Sequence, residues 1–320
     1  MKMLVKRACY ALMWYSAMLS FSFADEPARE NPKSVPFRAD LQRTGCFSGK
    51  GVPQPREVLW RFETPPLGTR PPFDNDRGDI LSPVYENGAL YVSCFYHYIF
   101  RLDAATGREK WRLKVGGALM ASPVVADGIV YIGMDMGDGS FYALDSETGQ
   151  PKWLFKAPDN IQATPLVAGG TVYLPCKDGC LYALEAKTGV TLWKYRGLGG
   201  AGCSSPATRD GILYVCGSNM MNAIDLKNGS KVWRFKANGE IFTGPTVSDG
   251  KVYCGTDEGY LYALDSKTGK ELWKLDTADS IRTSLAACDG VVFFVHQTSL
   301  SFSPPRALQA IARARNGRLA

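Results

Sequence analysis

The chain has 320 residues, 45% of them hydrophobic, with 37 basic against 31 acidic side chains. The apolar content suffices for a large core, and the charge excess is too small to imply nucleic acid or an anionic membrane as a partner. Its 33 glycines and 19 prolines imply frequent turns, and their regular spacing argues against disorder.

Residues 1–24 read as a secretory signal peptide. Lys2, Lys6 and Arg7 precede the apolar run Ala8–Phe23, which is too short for a membrane span, and Ser22-Phe23-Ala24 offers a cleavage site. The expected mature protein is periplasmic or secreted; an uncleaved anchor is the alternative. No Cys follows the cut directly, which argues against a lipoprotein, and no later stretch is long and apolar enough to cross a bilayer. Residues 25–56 are Pro-rich and irregular, an arm lying on the surface.

Glu57–Glu63 then reads as a strand carrying Trp60, followed by an insert at Thr64–Asp79. Beyond it, one pattern recurs about every 40 residues. Ile99–Trp111 (IFRLDAATGREKW), Phe141–Trp153 (FYALDSETGQPKW), Leu181–Trp193 (LYALEAKTGVTLW), Met221–Trp233 (MNAIDLKNGSKVW) and Leu261–Trp273 (LYALDSKTGKELW) are copies of one unit. Alternating apolar residues up to the acidic position predict a strand. The Asp accepts backbone N–H bonds across the turn, and the Gly four residues on supplies a positive φ. The segment ending on Trp is the next strand, with an indole placed to pack each unit against its neighbour.

Each unit opens on a short apolar segment such as Ser122–Ala126. Next come a tight turn (Asp127-Gly128, Gly169-Gly170, Asp210-Gly211 or Asp249-Gly250) and a strand holding Tyr91, Tyr131, Tyr173, Tyr214 or Tyr253. Four short strands per unit, A to D, at this period predict an all-β propeller of four-stranded antiparallel blades over residues 57–320. The sixth unit is worn. Ser284–Val295 matches strands A and B, a linker spans His296–Pro305, and Leu308–Ile311 with Asn316-Gly317 matches strand C and its turn. The expectation is six blades, the last taking its strand D from residues 57–63 so that the ring closes. A chain cut from a larger ring is the alternative.

The unit G-x-L-Y-A-L-D-x-x-T-G-x-x-x-W resembles the repeat of the pyrroloquinoline-quinone (PQQ) propeller family, as does the lead-in Phe37–Gly45. That family holds quinoprotein dehydrogenases, which bind PQQ and calcium, and non-enzymatic outer-membrane assembly scaffolds of the BamB type. The resemblance implies that Trp60, Trp111, Trp153, Trp193, Trp233 and Trp273 are structural docking residues. The dehydrogenases use a vicinal disulfide and a carboxylate–amide calcium site. This sequence has no Cys-Cys pair, and Asp135-Met136-Gly137-Asp138-Gly139 reads as a long hairpin loop. No catalytic, cofactor or metal residue is therefore expected, and the reading is an exported, non-enzymatic scaffold for protein or peptide partners. A PQQ-dependent oxidoreductase with calcium is the alternative.

Other chemistry has little support. His97 and His296 are the only histidines, and no C-x-x-C pair or phosphate loop occurs. Cys176 and Cys180 flank the turn Lys177-Asp178-Gly179 and are a candidate disulfide in an exported chain; the other strand cysteines read as small buried apolar residues. Departures from the repeat point to a partner site. They are the aromatic B–C tip Phe95-Tyr96-His97, the 64–79 insert with Phe73, and the 296–305 linker with Phe302. B–C turns and D–A links emerge on one face, so these residues are expected on one rim. Either a partner covers them or the insert packs over them.

Overall fold

A computed structural model describes residues 58–64, 81–95, 97–135, 137–199, 203–288, 290–296 and 307–312. The signal peptide, the arm, nearly all of the insert, the 297–306 linker, the turn at Asn316-Gly317 and the residues Phe73, Tyr96 and Phe302 lie outside these.

Every element described is a strand. Five sheets have four strands and a sixth has three, each in simple antiparallel order. In blade 1 the strands are A (Val84–Glu86), B (Ala89–Cys94), C (Tyr98–Asp103) and D (Glu109–Lys114). Blades 2 to 5 repeat this order with D strands at Pro151–Lys156, Thr191–Arg196, Lys231–Lys236 and Glu271–Asp276. The sixth sheet has Ala286–Cys288, Val291–His296 and Ala307–Ala312. Of the strand expected at Glu57–Glu63, the described residues 58–63 form none: no ladder joins them to another described strand.

The repeat motif folds the same way each time. Asp103, Asp145 and Asp265 each accept the backbone N–H and the hydroxyl of the Thr three residues on, at 2.7–3.0 Å. Asp225 takes the N–H groups of Lys227 and Asn228 instead. Glu185, one methylene longer, reaches the Thr188 hydroxyl. The C–D register shifts by a bulge at the same place in all five blades. That bulge brings the following Trp back onto the inward face.

The core lies between the sheets. The five main apolar clusters each span two neighbouring blades, for example Tyr131, Phe141 and Ile161 with Leu174 and Tyr182. The motif Trp closes the outer end of each seam. Trp111 donates to Ser146 O at 3.0 Å, Trp153 to Ala186 O at 3.0 Å and Trp233 to Ser266 O at 2.9 Å, each on the next blade. The same carbonyls accept from Tyr91, Tyr131 and Tyr214 at 3.3, 3.0 and 3.0 Å, so both lone pairs are used. The indole lies flat on the turn glycine. A Cβ on Gly149 would stand 2.7 Å from the Trp111 ring, and Gly149 also has φ +71°. Glycine is required there twice over.

Trp60 uses the same contact. Its Nε1 donates to Ala104 O of blade 1 at 3.0 Å, its ring covers Gly107, and Phe62 packs edge-on against Phe100. Residues 58–64 therefore sit where a preceding blade's strand D would dock on blade 1.

Candidate partner-binding rim

The B–C tips and D–A links share one face. The residue after each strand D returns to the B–C tip of its own blade: Val115 N–H to His97 O at 2.7 Å, Ala157 to Gly139, Ala237 to Asn219 and Thr277 to Gly259 at 2.8–2.9 Å. The links then stitch blades together, with Lys177 N–H donating to Asn160 O at 3.0 Å.

At blade 1 this tip holds Phe95 and His97, both half-buried. Phe95 O accepts from Leu119 N–H at 3.2 Å. His97 has φ +73°, at a position filled by glycine in blades 2, 3 and 5 (Gly139, Gly179 and Gly259). A side chain in the left-handed region costs roughly 1 kcal/mol, a strain that concentrates at functional sites. Of the rim residues expected from the sequence, these two are described and share one hairpin tip.

The blade 2 tip carries charge that the sequence reading missed. Asp135 is fully buried. Its two oxygens meet Gln162 Nε2 at 2.8 Å, from the link between blades 2 and 3, and Lys177 Nζ at 3.4 Å, from the B–C tip of blade 3. Asp138 turns elsewhere, to Ser140 and Lys156, and that ammonium holds its carboxyl down at about 2. The two carboxylates of the DMGDG loop thus serve different partners. The signal available in the sequence was a loop two residues longer than in blades 3 and 5.

Cys176 and Cys180 face each other across the blade 3 hairpin, paired in register and buried in one cluster. Both are thiols here. Burial pushes Cys176 up to about 12 and Cys180 upwards as well. Lys194 and Asp178 bracket the Tyr182 hydroxyl on the same sheet, with Tyr182 donating to Asp178 at 2.6 Å.

The family model for "Outer membrane protein assembly factor BamB" matches residues 53–200 and again 196–319. The chain belongs to that family. The BamB of Nitrosomonas eutropha is 36% identical over 59 residues, which cover 18% of this chain and 14% of that protein. The match therefore spans a small part of that relative's length. The crystal structure of BamB from Moraxella catarrhalis superposes with a TM-score of 0.57 at 18% identity, over 70% of this chain and 75% of that one. The quinohemoprotein alcohol dehydrogenase of Comamonas testosteroni superposes with a TM-score of 0.59 at 15% identity, over 73% and 52%. At these identities the structural likeness shows the propeller fold alone.

Both branches of the fold are thus represented among the structural neighbours of this chain. Among the described residues, no three His, Cys, Asp or Glu side chains converge to hold a metal ion.

Proposed function

We propose that this BamB-family propeller is an exported, non-enzymatic scaffold that holds protein partners during outer-membrane protein assembly. The family match across both halves of the chain carries this reading. A rigid stack of sheets with loops on one face suits a docking role. Within it, the blade 1 tip with Phe95 and His97 is the contact we assign to a partner, supported by the left-handed His97. Cleavage after residue 24 and closure of the sixth sheet by residues 57–63 belong to the same proposal; Trp60 on the blade 1 turn supports the closure.

The test is complementation in the native organism. Deleting the gene is expected to lower the abundance of outer-membrane proteins. The full chain is expected to restore it and Phe95→Ser combined with His97→Gly to restore it poorly, while the variant keeps its thermal stability. Unchanged outer-membrane protein levels on deletion would overturn the reading. So would stoichiometric PQQ binding followed by cofactor absorbance, with and without calcium; that result would favour an oxidoreductase.

A further inference from the structure

The seam between blades 1 and 2 differs chemically from every other described seam. At the position before the A–B turn, blades 2 to 5 carry Ala126, Ala168, Arg209 and Ser248, whereas blade 1 carries Glu86. At the small position of the motif they carry alanine, whereas blade 1 carries Arg101. Two residues past the motif's acidic position, blades 3 to 5 carry lysine, whereas blade 2 carries Glu147. All three departures meet at one seam.

Arg101 stands in register between Tyr91 and Trp111, on the face turned to blade 2. Its Nη2 donates to Glu147 Oε1 at 2.7 Å, while its Nε is buried without a partner. Glu86 is only 6% exposed, and its carboxyl makes no hydrogen bond or ion pair with any described residue. The charges that act on it from blade 2 are Asp127 and Glu147, both anionic. From its own blade, Tyr91 and Arg101 complete the cluster. One guanidinium thus serves a seam with three carboxyl groups.

We propose that this seam is a proton-sensitive joint: it closes with Glu86 protonated, and ionised Glu86, facing the carboxylates of Asp127 and Glu147 across the seam, loosens the contact between blades 1 and 2. Burial chiefly, then the charges of Asp127 and Glu147, push Glu86 up from 4.5 to about 7. An acid raised on folding favours its neutral form in the native state. The stability it confers is full below its ordinary value, declines as pH climbs towards about 7 and is lost beyond it. The joint would therefore respond within the neutral range, unlike ordinary surface carboxylates.

The test compares denaturant unfolding of the full chain and Glu86→Gln at about pH 5 and about pH 8. Wild type is expected to lose stability over that interval, its unfolding constant rising about ten-fold or more beyond that of the variant. Hydrogen exchange should quicken in Val84–Glu86 and Ile99–Asp103 more than in the matching strands of blades 3 and 4. Parallel pH profiles would overturn the proposal, since a merely structural role shifts stability equally at both pH values. Should the variant fail to fold, carbon-detected NMR titration of Glu86 in the wild-type chain decides: a midpoint in the ordinary carboxylate range refutes the joint, and one near neutrality sustains it.

Discussion

The seam between blades 2 and 3 and the outer edge of the sixth sheet are built from the same repeat, yet they end differently. In the first, Tyr131 and Trp153 lie 5.9 Å apart and both donate to Ala186 O over Gly189. In the sixth sheet the Tyr position is Phe293, which has no hydroxyl to donate. Phe293 is 36% exposed, against 1–4% for Tyr91, Tyr131, Tyr173, Tyr214 and Tyr253. Trp60 makes the docking bond to blade 1 from a segment whose flanking Val58 and Leu59 are exposed. A seam is thus a two-residue device, in which the Tyr and Trp share one acceptor and bury each other's rings. Where one partner is absent, the other docks with less around it.

Removing the indole should expose that contrast most strongly. Trp153→Ala is expected to cost about 3–5 kcal/mol, the loss of a large side chain that also orphans part of the Ala186 carbonyl. Trp60→Ala is expected to cost roughly 1–2 kcal/mol, one hydrogen bond and a partial burial. Urea denaturation of the two variants measures the difference. Equal losses would mean that residues 58–64 are as integral to the ring as any internal strand D, which would strengthen the case for closure.

The turn glycines sharpen the comparison at a smaller scale. Gly149 and Gly170 have nearly equal positive φ, +71° and +74°. Only Gly149 lies under an indole, whereas a Cβ on Gly170 meets nothing within 4 Å. Gly170→Ala should cost about 1 kcal/mol from backbone strain alone. Gly149→Ala adds the displacement of Trp111 and should cost about 2–4 kcal/mol in all. Similar melting temperatures for the two would show that the Trp gives way easily.

Much of this was legible in the sequence, because the motif writes its own contacts. Asp, Gly and Trp at fixed offsets specify a turn, a positive φ and a docking ring, and alternation specifies the strands. What stayed hidden depends on pairing between repeats. Arg101 and Glu147 look unrelated until adjacent blades bring them to 2.7 Å. Asp135 reads as a loop residue until Lys177, 42 positions on, reaches it. Asn222, where the motif has Tyr in blades 2, 3 and 5, proves to be a buried acceptor for Tyr195 and Arg234 at 3.1 and 2.9 Å. The partner of the segment at 57–63 is equally unwritten in its pattern: residues 58–64 pair with no described strand, yet Trp60 docks on blade 1 as a motif indole does.

Acid should separate the motif turns from the blade 1–2 joint by sign. The Lys152 ammonium, with the Thr148 N–H and hydroxyl, holds Asp145 at about 2, below its ordinary 3.8. Stability from that turn is present above the ordinary value and lost as pH falls towards about 2. The group is near the surface, so the effect of Asp145→Asn should be small and confined to acid. Midpoints measured at about pH 5 and about pH 2.5 should converge for wild type and variant at the lower value. A variant deficit that persists in acid would assign the turn's contribution to shape rather than charge.

The smallest effect expected is a gain. His97 occupies the hairpin position that Gly139, Gly179 and Gly259 fill elsewhere, and its backbone carries φ +73°. His97→Gly keeps the carbonyl that accepts from Val115 N–H, since only the side chain is removed. It should therefore stabilise the chain by about 0.5–1 kcal/mol, less whatever packing the half-buried imidazole supplies. If the tip exists to present that imidazole to a partner, the more stable protein will be the poorer scaffold, and complementation will fall as the melting temperature rises. If instead stability falls on substitution, the imidazole is packing, the strain is offset locally, and the blade 1 tip is an ordinary hairpin whose partner role must be given up.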